Sequence, residues 1–188
     1  MIVTIDGPAA SGKSTAARWL AERLGFRFLD TGAMYRTVAL AALRQKVPLD
    51  DDAALGRLAA SIHISFSGQH VFLDGQDVSR AIRELEVTSA SRQVADSPAV
   101  RECMVRLQRE AGQSENVVSE GRDQGTVVFP EAACKFFLTA RPEVRAARRR
   151  QELAACGVEL TLDQVQFDQA ERDQRDRSEE HTSELQSR

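Results

Sequence analysis

Residues 7–14 read Gly-Pro-Ala-Ala-Ser-Gly-Lys-Ser, a complete G-x-x-x-x-G-K-[ST] phosphate-binding loop (P-loop). The β-branched run Ile2-Val3-Thr4-Ile5 precedes it, and Ala16, Leu20 and Leu24 follow at helical spacing, with Gly25 as a stop. Strand, loop and helix in that order are the context the motif requires. Its glycines let the backbone wrap a triphosphate, so that successive N–H groups and the helix N-terminus face the anion. The expected binding segment is Gly7, Pro8, Ala9, Ala10, Ser11, Gly12, Lys13, Ser14 and Thr15. Lys13 is expected on the β- and γ-phosphates, and the Ser14 hydroxyl as a ligand of Mg2+. The motif therefore predicts binding of a nucleoside triphosphate, ATP, with Mg2+.

Bulk properties narrow the classes. The 188 residues suffice for one domain with a small inserted subdomain. A net charge of −3 offers no global basic field for nucleic acid or a membrane surface. Cys103, Cys134 and Cys156 are odd in number and widely spaced, which predicts free thiols in a reducing compartment. No apolar run has the length of a membrane span, and a strand begins directly after Met1, where a signal peptide would lie. A cytoplasmic monomer is expected.

Along the chain, Phe26-Arg27-Phe28-Leu29 predicts a second strand, and Asp30-Thr31-Gly32 starts a helix continued by Met34, Val38 and Ala42. A short helix is expected over 50–61, then a hairpin of Ile62–Phe66 and His70–Leu73 around Ser67-Gly68-Gln69. Ser97-Pro98 reads as an N-cap and first turn, followed by the stripe Val100, Met104, Leu107 and Ala111. Val117-Val118-Ser119 and Phe136-Phe137-Leu138 resemble buried parallel strands, with the loop 121–125 between them. A basic helix spans about 142–156, and Thr161-x-x-Gln164 is a capping box. Trp19 and Cys103 read as packing residues, and His63, His70 and His181 as surface residues. Alternating strands and helices led by a P-loop predict a three-layer α/β fold with a parallel central sheet.

The guanine-selecting Asn-Lys-x-Asp of a GTPase is missing, and Glu120 after Val117-Val118 is a rough stand-in for the acidic Mg2+ partner of an ATPase. Three other clusters point to a small-molecule kinase: Asp30-Thr31-Gly32-Ala33-Met34-Tyr35-Arg36, the run from Glu120-Gly121-Arg122-Asp123 to Phe129-Pro130, and Glu171-Arg172-Asp173-Gln174-Arg175-Asp176. With Ile5-Asp6-Gly7-Pro8, they closely resemble the bacterial cytidylate kinases over residues 1–176. The resemblance implies a nucleoside monophosphate kinase fold with a small monophosphate-binding insert at about 31–112 and a lid at about 142–176. It also implies transfer of the γ-phosphate of ATP to CMP or dCMP. Thr31, Tyr35 and Arg36 match the family's monophosphate site, and Arg101 matches an arginine holding the acceptor phosphate. Arg122 and Asp123 match the pyrimidine and sugar end, and Asp176 a later sugar contact.

Arg145, Arg148 and Arg149 share one helical face, and Arg172 and Arg175 repeat the spacing; the resemblance puts them in the ATP lid. Lys13, Arg148, Arg149, Arg172 and Arg175 are the expected catalytic cations, neutralising the equatorial oxygens of the transferred phosphoryl group. Two positions depart from the family pattern: Arg92 stands where a serine is common, and Glu179 where a monophosphate-binding arginine belongs. Residues 177–188 resemble a translated sequencing adapter and are expected to be a non-native tail on a truncated chain. An uncovered strand at 135–139 then predicts a destabilised protein with weak or no turnover. The alternatives are a non-catalytic nucleotide-binding fragment, or a kinase for another acceptor such as UMP, AMP or a hydroxy acid.

Overall fold

Val3, Thr4, Ile5 and Asp6 of β1 (Ile2–Asp6) are all buried, as befits an interior strand of a parallel sheet. In the computed structural model β1 runs parallel to β6 (Val117–Gly121), with Ile2 opposite Val117 and Asp6 opposite Gly121. On its other side it runs parallel to β7 (Cys134–Phe137). With β2 (Arg27–Asp30) the sheet order is β2-β6-β1-β7. This register ends β1 and β6 side by side, so the P-loop and the loop after Gly121 leave the same end of the sheet. The structure describes residues 1–155, 157–171 and 173–174. They form two compact units: Met1–Leu29 together with the chain from Glu115 onward, and Asp30–Ser114.

In the first unit, α1 (Lys13–Leu24) begins inside the P-loop motif at a left-handed Gly12 and closes on left-handed Gly25. Its fully buried residues are Lys13, Ala17 and Ala21; of the expected Ala16, Leu20 and Leu24, Leu20 packs half-buried against the core and Ala16 is half-buried. Small alanines let the helix approach Val3, Ile5 and Val118, while Leu24 is exposed. Trp19 is 60% exposed, with the Arg23 guanidinium stacked 5.2 Å from its ring, so it is a surface residue and not core packing. Phe136 and Phe137, expected to be buried, are exposed on β7, which is the edge strand of the sheet among the described residues. α6 (Pro142–Ala155) is the basic helix, and Thr161 and Gln164 exchange the two bonds of the expected capping box before helical residues 162–171.

In the second unit, the Asp30 carboxylate caps α2 (Thr31–Gln45) by accepting from Ala33 N at 2.7 Å. Asp51 does the same for α3 (Asp52–Ser61). The hairpin is β3 (Ile64–Ser67) and β4 (His70–Leu73), to which a two-residue β5 (Gln76–Asp77) adds. α4 (Leu85–Asp96) has no counterpart in the sequence expectations. Ser97 caps α5 (Pro98–Ser114) as expected, accepting from Val100 N. Val100, Met104 and Gln108 form the buried stripe, with Leu107 and Ala111 only half-buried. Cys103 is buried, and His63 and His70 are exposed, as the sequence suggested.

Candidate active site

The P-loop takes its shape from backbone that most residues resist. Gly7 has φ +143°, and a Cβ there would lie 2.0 Å from the Leu138 carbonyl oxygen. Only glycine fits this approach. Lys13, 7% exposed, turns its Nζ back to donate to Pro8 O at 2.8 Å. The N-cap residue of α1, Gly12, makes no side-chain cap bond, and a helix N-terminus is where backbone N–H groups bind an anion. Ser14 Oγ donates to Glu120 Oε1 at 2.7 Å, and Glu120 is buried at the end of β6. The sequence offered Glu120 only weakly as an acidic partner; the structure joins it to the P-loop hydroxyl.

The three arginines of the α6 face have different partners. Arg145 is buried, ion-paired to Asp173 at 2.6 Å, and donates to Ala9 O at 3.4 Å. The Gln169 amide also donates to the Arg145 carbonyl, so the residues near 170 hold this position through both main chain and side chain. Arg148 Nη1 donates to Ser11 O at 3.1 Å and to Ala10 O at 3.4 Å. Arg149 pairs with Glu152 on its own helix. Asp173 is a partner that the sequence reading did not identify.

After β6 the chain makes a π-helical turn, Gln124–Val128, where a plain loop was expected. Asp6 Oδ1 accepts from Gln124 N at 2.9 Å and Oδ2 from Gly125 N at 2.7 Å. Burial raises the Asp6 carboxyl above its usual range, opposed by those two N–H bonds. Burial also lowers the Arg122 guanidinium, opposed by Asp173 and Glu120. Asp123 accepts from the Gln124 side-chain amide at 3.3 Å.

In the second unit, Thr31 is buried at the start of α2, and Tyr35 and Arg36 follow on the same helix. Arg36 pairs with Asp30 at 3.5 Å across Gly32, where a Cβ would crowd both side chains. Arg101 stands on the first turns of α5. Arg92 is exposed, and Ser91 donates to Thr88 O within α4. Cys156, Arg172, Arg175, Asp176, Glu179, His181 and the segment 177–188 lie outside the described residues. Among the described residues no helix is long and apolar enough to cross a membrane.

The sequence model of the cytidylate kinase family matches residues 3–187. Curated cytidylate kinases are similar over most of the chain. The Rhodopirellula baltica protein is 47% identical over 165 residues, covering 88% of this chain and 72% of that one. The Pelotomaculum thermopropionicum protein is 54% identical over 160 residues, covering 82% and 71%. The Caldanaerobacter subterraneus protein is 47% identical over 163 residues, covering 87% and 73%. With its P-loop leaving β1 of a parallel sheet and Glu120 at the end of the neighbouring strand, this chain belongs to the cytidylate kinase family.

Proposed function

We propose that the protein transfers the γ-phosphate of ATP to CMP or dCMP, giving ADP and CDP or dCDP. The observation that carries this reading is the P-loop of a cytidylate kinase family chain, with Lys13 folded into the loop and Ser14 bonded to Glu120. Transfer of this kind depends mainly on in-line positioning and charge neutralisation, which the loop N–H groups, Lys13 and the α6 arginines supply. Ser14 and Glu120 are the residues that would hold Mg2+, two hard oxygen donors 2.7 Å apart beside the loop. The ion, when bound, neutralises charge on the phosphate oxygens.

On the acceptor side, the family resemblance supports Thr31, Tyr35, Arg36 and Arg101 as the holders of the monophosphate. An arginine fork grips a phosphate through two parallel bonds, which lysine does less well. Arg122 and Asp123 recognise the pyrimidine and sugar. An ionised Asp123 only accepts hydrogen bonds, so it suits the exocyclic amine of cytosine and opposes the carbonyl of uracil. Arg148 and Arg149, with Arg172, Arg175 and Asp176 from the sequence, complete the proposed set; residues of about 142–176 act as the lid, and about 31–112 as the monophosphate-binding insert. The enzyme works as a cytoplasmic monomer.

The test is ADP formation from ATP and Mg2+ with CMP, dCMP, UMP and AMP in parallel. Turnover confined to the cytidine nucleotides supports the proposal. Equal turnover with UMP or AMP, or silence with all four, overturns it for this chain.

A further inference from the structure

Gln124 is 2% exposed, a depth at which an amide side chain needs every partner it can find. Its Oε1 accepts from Ser119 Oγ at 2.7 Å, and its Nε2 donates to the Asp123 carboxylate at 3.3 Å. Its backbone N–H, with that of Gly125, is taken by the two oxygens of Asp6. Asp6 lies immediately before the P-loop glycine, 118 residues earlier in the chain. The approach is close: a Cβ on Gly125 would lie 2.8 Å from Thr4 Oγ1 and 3.2 Å from Asp6 Oδ2.

We propose that Asp6 and Gln124 are positioning residues for nucleoside recognition: Asp6 clamps the turn after β6, and Gln124 aims the Asp123 carboxylate. Two charge-assisted bonds fix the main chain of the turn, and the side-chain amide converts that placement into an orientation of Asp123. A recognition carboxylate that swings freely loses the discrimination its geometry provides. The proposal rests on Asp123 being the residue that reads the nucleoside.

The experiment compares Asp6→Asn, Gln124→Met and Asp123→Asn in steady-state kinetics, varying CMP, UMP and ATP separately, with melting temperatures recorded. Asp6→Asn turns one acceptor oxygen into an NH2 facing a backbone N–H. Gln124→Met keeps the length and removes the donor to Asp123. Each is expected to raise KM for CMP by about tenfold or more and to narrow the preference for CMP over UMP, with KM for ATP changed by less than about twofold. Combining Gln124→Met with Asp123→Asn is expected to add little to Asp123→Asn alone, because both remove one interaction. Gly125→Ala, which forces the turn off Asp6, gives the same signature if Asp6→Asn does not fold. Equal rises in KM for CMP and ATP, or a fall in kcat alone, would overturn the positioning role. Asp123→Asn raising KM for CMP while Asp6→Asn and Gln124→Met leave it unchanged would also overturn it. An unchanged KM for CMP in Asp123→Asn would instead overturn the reading on which the proposal rests.

Discussion

Gly7→Ala isolates what the P-loop demands of its first residue. The added Cβ would sit 2.0 Å from Leu138 O and 3.0 Å from Leu138 C, both backbone atoms with no rotamer to escape into. Leu138 is itself tied by its N–H to Asp6 O at 2.7 Å, so the chain just after β7 and the loop must separate together. Holding alanine at φ +143° costs about 1–3 kcal/mol, and relieving the overlap costs about 1–3 kcal/mol more. A loss of about 2–6 kcal/mol lowers the melting temperature of a chain this size by roughly 5–20 °C. Gly68→Ala is the control. Gly68 also has positive φ, at +58°, but nothing lies within 4 Å of its Cβ position. Its cost is about 1 kcal/mol, the conformational part alone. Scanning calorimetry on both variants, with ATP binding by titration calorimetry, gives the comparison. Gly7→Ala is expected to melt well below Gly68→Ala and to lose ATP affinity, while Gly68→Ala retains it. Equal melting temperatures would refute the steric argument.

Asp173→Asn leaves the Arg145 guanidinium, 7% exposed, without its carboxylate; a stability loss of about 3 kcal/mol is expected by urea unfolding, and no loss would show the pair to be dispensable. Ser14→Ala is expected to raise the Mg2+ concentration for half-maximal turnover by about 10–100-fold, and an unchanged Mg2+ dependence would remove Ser14 from the metal site. Hydrogen bonds from Ser79, then His70, hold Asp77 at about 2 against an ordinary 3.8. A depressed carboxyl contributes stability above its unfolded pKa and loses it as pH falls through the folded value, so this contribution fades between pH 3.8 and about 2. Urea unfolding of wild type and Asp77→Asn should therefore converge towards pH 2, and a gap that stays constant would contradict the assignment.

What could be read from the sequence was what lies close along the chain. The P-loop, the Asp30 start of α2, the Ser97 cap and the Thr161 box each involve residues within a few positions, and the structure contains all four local features. Faces were harder. On α1 the expected Leu20 packs half-buried against the core and Leu24 is exposed, while the side fully buried against the sheet is the smaller one, Ala17 and Ala21. The sequence expects the 135–139 strand to be uncovered on one side, and among the described residues it lies at the sheet edge, but the run Phe136-Phe137 still looked buried and both side chains are exposed. α4 has the helical spacing of Val87, Ala90 and Val94, but its N-cap position Glu84 makes no side-chain cap bond, so no start signal marks it in the sequence. Long-range pairings were harder still: Glu120 could be offered as an acidic partner, but its bond to Ser14, that of Asp173 to Arg145 and those of the turn at 124–125 to Asp6 each depend on chain 28 to 119 residues away.

Those long-range partners share a logic that the motif alone does not express. In a trans peptide the C=O and the following N–H point in opposite directions. Lys13 holds Pro8 O, Arg145 holds Ala9 O, and Arg148 holds Ala10 O and Ser11 O. Four successive carbonyls are thus engaged by cations, which turns the N–H groups of residues 9–12 the other way. Each cation both fixes a peptide plane and adds positive potential to the loop. Buried Asp6 and Glu120 stand at the ends of β1 and β6 and engage the turn amides and the Ser14 hydroxyl. Arg145 and Arg148 of α6 therefore act on the P-loop backbone itself and are part of how the loop keeps its anion-binding shape.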